Sequence, residues 1–196
     1  MNVVLVDAGG TNIGSVRYAL QRLGVDAPLS RDAETIRHAD KVILPGVGAA
    51  APGMARLREA DLLGVLRGLK QPVLGVCLGM QLLFEHSEES DTECIGVIPG
   101  KVMKMQGNPS LRVPHMGWNQ LDVCKHDPLV ANLPNDAHAY FVHSYAARIS
   151  PATLAGSTHG NTFSAIVRHN NFCGMQFHPE RSAAVGAQLL KNFLAL

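Results

Sequence analysis

The chain has 196 residues, with 17 basic and 16 acidic side chains and a net charge of +1 when histidine is neutral. That balance lacks the basic excess that grips a phosphate backbone, so no nucleic-acid role is expected. Hydrophobic residues at 46% and charged residues at 17% exclude a disordered chain, and the length suits one core and one domain over 1–196.

Val3-Val4-Leu5-Val6 is an apolar run ending at Asp7 and two glycines, which predicts a buried strand. Ile13, Val16, Leu20 and Leu23 recur at helical spacing, and Gly24 follows as a stop. Val42-Ile43-Leu44 predicts a second strand closed by Pro45-Gly46, and 54–69 is rich in helix formers. A third strand is expected over 73–76 and a helix over 78–86. Unbroken apolar runs alternating with helices argue for parallel strands covered on both faces. The stretch 87–136 holds scattered prolines, glycines and charges, with short strand candidates at 101–104 and 120–123. Strands are expected again at 139–142, 164–167 and 173–177. A final helix follows, with Ala183, Ala187, Leu190 and Leu194 on one face. The expected fold is α/β, a mostly parallel sheet flanked by helices, with an antiparallel, loop-rich second half.

The most apolar stretch, 73–84, contains Gln81 and is too short to span a bilayer. Residues 1–7 have no basic region and no cleavage site, so no signal peptide is expected. The four cysteines, at 77, 94, 124 and 173, lack C-x-x-C spacing and a histidine at zinc-finger distance. No metal or cofactor is therefore expected, and a reducing cytoplasm is the default setting.

Gly75-Val76-Cys77-Leu78-Gly79 has the form G-x-C-x-G between a predicted strand and a predicted helix. This is the nucleophile-elbow pattern with cysteine in place of serine. A sharp strand-to-helix turn crowds the backbone, so its flanks must lack side chains. The cysteine should then stand exposed above the carboxyl end of the sheet, at a helix N-terminus that favours a thiolate. The Leu78 N–H would face a developing oxyanion. The pentapeptide alone equally fits a buried cysteine in a glycine-containing turn.

A thiol nucleophile needs a base, and nine histidines compete. His178 directly follows the predicted strand 173–177, placing it at the strand end where open α/β sheets bind ligands. Glu180, two residues on across Pro179, is positioned to orient the imidazole. In Pro45-Gly46-Val47-Gly48, Gly46 and Gly48 let backbone N–H groups approach a ligand, although an ordinary turn reads the same way. His143-Ser144-Tyr145 follows another predicted strand and offers donors to a polar substrate.

Gly75-Val76-Cys77-Leu78-Gly79-Met80-Gln81 together with His178-Pro179-Glu180 resembles the class I (triad) glutamine amidotransferases. These are Cys-His-Glu glutaminases that deliver ammonia to a partner synthase. The likeness runs over essentially the whole chain. Pro114-His115-Met116-Gly117-Trp118-Asn119 and His143-Ser144-Tyr145 are similar to those members whose partner is a cyclase subunit. The resemblance implies Cys77 as nucleophile, His178 as general base and acid, and Glu180 as its orienter. It implies an oxyanion hole of Val47 and Gly48 in the 46–48 loop and of Leu78 after the nucleophile, and glutamine contacts from Gly46, Gln81, His143, Ser144 and Tyr145. Asn12, Ser15, Met116 and Trp118 would face the partner in a heterodimer. The family often has Gly-Asn after its first strand, where this chain has Thr11-Asn12. Trp118 could instead belong to the core. A glutaminase of the anthranilate or aminodeoxychorismate synthase type, a stand-alone cysteine hydrolase and a regulatory module with a vestigial triad stay open as alternatives.

Overall fold

A computed structural model describes residues 1–8 and 13–196. Strand β1 (Val3–Val6) leads to helix α1 (Ile13–Arg22), then β2 (Leu29–Ser30), α2 (Ala33–Arg37) and β3 (Lys41–Gly46). Helices α3 (Ala50–Glu59) and α4 (Leu63–Gly68) precede β4 (Val73–Cys77) and α5 (Leu78–Leu83). The second half carries β5 (Phe84–Ser87), β6 (Thr92–Glu93), β7 (Ile98–Lys104), β8 (His115–Gln120), β9 (Asp122–Val123) and β10 (His138–His143). It closes with β11 (Tyr145–Ala147), β12 (Thr153–His159), β13 (Asn161–His169), β14 (Phe172–Met175) and α6 (Ala183–Ala195).

The main sheet has the order β2-β1-β3-β4-β14-β13-β12-β9. Its first five strands are parallel and the rest antiparallel. The apolar runs have a direct cause. Val3 and Leu5 pack into a core with α1 and α6, while Val4 and Val6 pack into a second core with α2 to α5. A strand buried on both faces has no position left for a polar residue. Two smaller sheets, β10-β8 and β11-β7-β5-β6, stand beside the main one.

Several boundaries differ from expectation. The helix expected over 78–86 stops at Leu83, because Phe84–Ser87 pairs with β7 and β6 instead. The helical stretch 54–69 divides where Asp61 takes φ +53° and Leu62 turns into the core. The strand expected at 120–123 is split: Gln120 ends β8, and Asp122 and Val123 join β12 in the main sheet. Strand β12 and the β2–α2 segment have no clear pattern in the sequence. Asp32 caps α2 by accepting the Thr35 N–H at 2.7 Å. In α6 the buried face is Gly186, Leu189, Leu190 and Phe193. Ala183 is exposed, and Ala187 and Leu194 are half-buried.

Candidate active site

Strands β4 and β14 are parallel neighbours, with Gly75 opposite Gly174 and Val76 opposite Met175. The segments that leave them therefore emerge at the same edge of the sheet. Cys77 sits at the end of β4 with φ +53° and ψ −112°. A non-glycine residue there carries strain of about 1–3 kcal/mol, offset by the packing that imposes it. The glycines explain how the turn closes. A Cβ on Gly75 would lie 2.6 Å from the Gly79 carbonyl oxygen, and one on Gly79 would overlap the Leu44 carbonyl oxygen. Helix α5 thus packs backbone-to-backbone against β3 and β4.

Cys77 is not exposed above the sheet. It is only 9% accessible and forms part of the wall of a cavity of about 410 Å³. The chain after β14 and the end of β10 cover it. Its thiol lies 3.9 Å from the Val142 carbonyl, and the Gln176 amide approaches the sulfur at 4.0 Å. Cys94 and Cys173 are buried outside this cavity, and burial pushes their thiols up to about 11 and about 12. They stay protonated and unreactive near neutral pH.

His178 lines the same cavity. Its backbone is tied on both sides. Its N–H donates to the Tyr140 carbonyl at 3.0 Å, and its carbonyl accepts the Ser182 hydroxyl at 2.7 Å. That hydroxyl also accepts the Tyr140 N–H at 2.9 Å. A single 3-10 turn over Pro179–Arg181 swings Glu180 back, and its Oε1 lies 3.0 Å from His178 Nδ1. Burial alone would lower the affinity of this imidazole for a proton. Hydrogen bonding to Cys77 and to Glu180 overrides it and raises the pKa to about 10. At neutral pH the ring is an imidazolium beside the sulfur.

Val47, Gly48, Leu78, Gln81, His143, Ser144 and Tyr145 all line the Cys77 cavity. Gly46 and His143 also have structural partners of their own. Gly46 lies beneath the cavity rather than in its wall. A Cβ there would overlap the Gly79 amide nitrogen, so Gly46 makes room for α5. His143 reaches the wall, but both ring nitrogens are engaged: Nδ1 is 2.8 Å from the Tyr145 carbonyl and Nε2 is 2.9 Å from His115 Nδ1. Its imidazole has no donor left for a ligand. Gln81 donates to the Tyr145 carbonyl and to Gln176 Oε1, each at 3.0 Å.

Motif reasoning missed Gln176, fully buried between Gln81 and Cys77. A glutamine inside the otherwise apolar run expected as a strand over 173–177, two residues before the candidate base, is the available signal; β14 itself ends at Met175, one residue before this glutamine. It also missed Glu89, which reaches the cavity wall while accepting the Ala50 N–H at 2.8 Å.

Met116 and Trp118 are 64% and 53% accessible, so Trp118 is not a core residue. Its ring meets Tyr140 edge-on at 6.0 Å, and the Arg181 guanidinium lies 4.5 Å over Tyr140. Arg181 also lines the cavity, so the apolar patch adjoins the cavity rim. Ser15 lines a neighbouring surface hollow with Glu180 and Arg181. Asn12 lies outside the described residues. Among the described residues no helix is long and apolar enough to cross a membrane.

The profile of the glutamine amidotransferase class-I family matches residues 4–196. The chain is 56% identical over 195 residues to the imidazole glycerol phosphate synthase subunit HisH of Xanthomonas axonopodis pv. citri, covering 100% of this chain and 98% of that one. It is 55% identical over 194 residues to the subunit of the same name from Xylella fastidiosa, covering 99% and 97%. Among solved structures, a glutamine amidotransferase superposes with TM-score 0.76 at 22% identity, covering 100% of this chain and 98% of the other. The glutaminase domain of a Trypanosoma brucei CTPS does so with TM-score 0.69 at 18% identity, covering 100% and 94%. These distant structures speak for the fold alone.

Proposed function

The chain belongs to the class I glutamine amidotransferase family, and from that premise we propose that it is the glutaminase subunit of an imidazole glycerol phosphate synthase. It acts as one domain, releasing ammonia from L-glutamine for a cyclase subunit in histidine biosynthesis. The observation that carries the reading is the meeting of Cys77 and His178 at one cavity, with Glu180 Oε1 3.0 Å from His178 Nδ1 behind it.

The Cys77 thiolate attacks the side-chain carboxamide carbon of glutamine. Backbone N–H groups of Val47, Gly48 and Leu78 supply the oxyanion donors. Removing one such donor costs about 3–4 kcal/mol, or about 10²–10³ in rate. His178 gives its proton to the departing nitrogen, and ammonia leaves from a Cys77 thioester. Water then attacks the thioester carbon and passes a proton back to His178, and glutamate departs. Glu180 holds His178 Nδ1, which leaves the other ring nitrogen for the sulfur and the leaving group. Glu89 is a carboxylate in the cavity wall and suits the substrate ammonium. Gln81, Gln176 and the 143–145 segment frame the carboxamide end.

The patch of Met116 and Trp118 supplies the docking surface for the cyclase, and Ser15, in the hollow lined by Arg181, is a further contact of that partner. Ammonia must not escape to solvent, and an apolar surface at the cavity rim suits a dry seal. A stand-alone hydrolase would have no use for that surface. A reduced thiol nucleophile fits the cytoplasm, and no metal or cofactor enters the chemistry.

The test is glutamate release by the chain with and without the cyclase subunit and its nucleotide substrate. Cys77→Ala should abolish glutamine-dependent synthesis and leave synthesis from added ammonium intact. Loss of both activities would contradict the division of labour.

A further inference from the structure

Beside the catalytic residues, His143 of the cavity wall leads to a second buried histidine, His115, with no role in the chemistry above. His115 and His143 are buried, at 4% and 6% accessible, and form the last cross-strand pair between β8 and β10. Burial, and then the neighbouring histidines for His115, lowers its pKa to about 3; burial likewise lowers that of His143 to about 4. Both rings are therefore neutral, and each has one N–H and one bare nitrogen.

The direction of every hydrogen bond then follows. The Tyr145 carbonyl can only accept, so His143 Nδ1, 2.8 Å away, carries the proton. His143 Nε2 is left bare and accepts from His115 Nδ1 at 2.9 Å. His115 Nε2 is bare in turn and accepts from the Asn119 amide at 3.2 Å. The same amide nitrogen donates to the Thr158 carbonyl at 2.8 Å, and the Asn119 Oδ1 accepts the Gln120 N–H at 2.8 Å. That orientation of the amide leaves no alternative. The chain of bonds begins at a group that only donates and ends at one that only accepts, so both tautomers are set.

Both ends of this chain touch something functional. Asn119 and His115 are on the inner side of β8, and Met116 and Trp118 are on its exposed side. The terminal acceptor, the Tyr145 carbonyl, is shared with Gln81, which passes on to Gln176 and the Cys77 sulfur. We propose that His115 is a positioning residue for glutamine hydrolysis: through His143 it holds the Tyr145 carbonyl and Gln81, and so ties the wall of the glutamine cavity to the strand that carries the exposed Trp118. The inference rests on the glutaminase reading. His115 touches neither substrate nor the reacting atoms, and its effect is on the shape of the cavity.

Two variants separate the bond from the packing. His115→Phe keeps a flat ring against Phe141 and His159, which stack on His115 at 5.0 and 4.2 Å, but removes the donor. His115→Asn keeps an N–H donor at the place of Nδ1. In the complex with the cyclase subunit, His115→Phe should lower kcat/KM for glutamine at least tenfold, mainly through KM, and His115→Asn should restore most of it. Synthesis from added ammonium should be unchanged in both. Imidazole ¹⁵N spectra of the full chain give the second readout. The wild type should show His115 and His143 as Nδ1–H tautomers, and in His115→Phe His143 should stay Nδ1–H while its Nε2 signal moves toward that of a ring nitrogen accepting no hydrogen bond. Wild-type KM in His115→Phe, or Nε2–H tautomers in the wild type, would overturn the proposal while the glutaminase reading stands. A wild-type complex that releases no glutamate would overturn both. If His115→Phe does not fold, the wild-type tautomers and His115→Asn still decide.

Discussion

The two sides of the candidate site are held by different forces. On the nucleophile side, Gly75 and Gly79 let backbone meet backbone with no room for another atom. On the base side, His178 is held by polar ties: its N–H to Tyr140, its carbonyl to Ser182, its ring to Glu180. The first arrangement is steric and all-or-none, because close-packed backbone cannot yield by a fraction of an ångström without moving two strands. The second is a set of separable bonds, each worth a limited amount. The nucleophile is therefore a property of the fold, and the base is a property of a local network that can be loosened step by step.

The strongest way to break that contrast is Gly79→Ala. Its methyl would meet the Leu44 carbonyl oxygen, which is backbone inside β3 and cannot rotate away. Stability should fall by about 4 kcal/mol or more, leaving little folded protein in a urea or thermal unfolding measurement. A wild-type midpoint would show that the elbow is not sterically closed. Ser182→Ala tests the other side. It strands the Tyr140 N–H and the His178 carbonyl, and should cost about 2 kcal/mol. The folded enzyme should survive with a turnover reduced about tenfold. Unchanged turnover would mean that these ties do not position the imidazole.

The smallest effect should be a pH dependence. The folded-state pKa of His178 is raised to about 10, against an ordinary histidine value of about 6.5. Its contribution to stability is thus complete below pH 6.5 and is lost as pH rises through 10. Glu180→Gln removes one of the two causes of the raised value and lowers the upper edge of that window. Unfolding midpoints of the two proteins should differ most at pH 6–7 and converge near pH 10. A gap that is constant across this range would assign the raised value to Cys77 alone.

What was legible in the sequence was local. The elbow could be read because its constraint acts within five residues, and a missing Cβ is visible as glycine. His178 could be read because it ends an apolar run. The packing role of Gly46 is not legible in this way: its partner, the Gly79 amide, lies 33 residues away, and a glycine near a ligand-like turn looks the same as one under a helix. The end of α5 at Leu83 was also hidden. Phe84–Ser87 has no strand-like pattern of its own and is strand only because β7 and β6 pair with it. Strand β12, with small and polar residues, depends in the same way on its long pairing with β13.

By itself the sequence determined the alternating α/β order, the strained turn at Cys77 and the family resemblance, because each rests on short-range backbone geometry or on motifs read in place. Tertiary structure alone decided that Cys77 is covered, that Trp118 is exposed, that Gln176 touches the sulfur and that His115 and His143 share a proton order. Those facts depend on which strand ends become neighbours, and pairing across dozens of residues leaves no trace in any single stretch of chain.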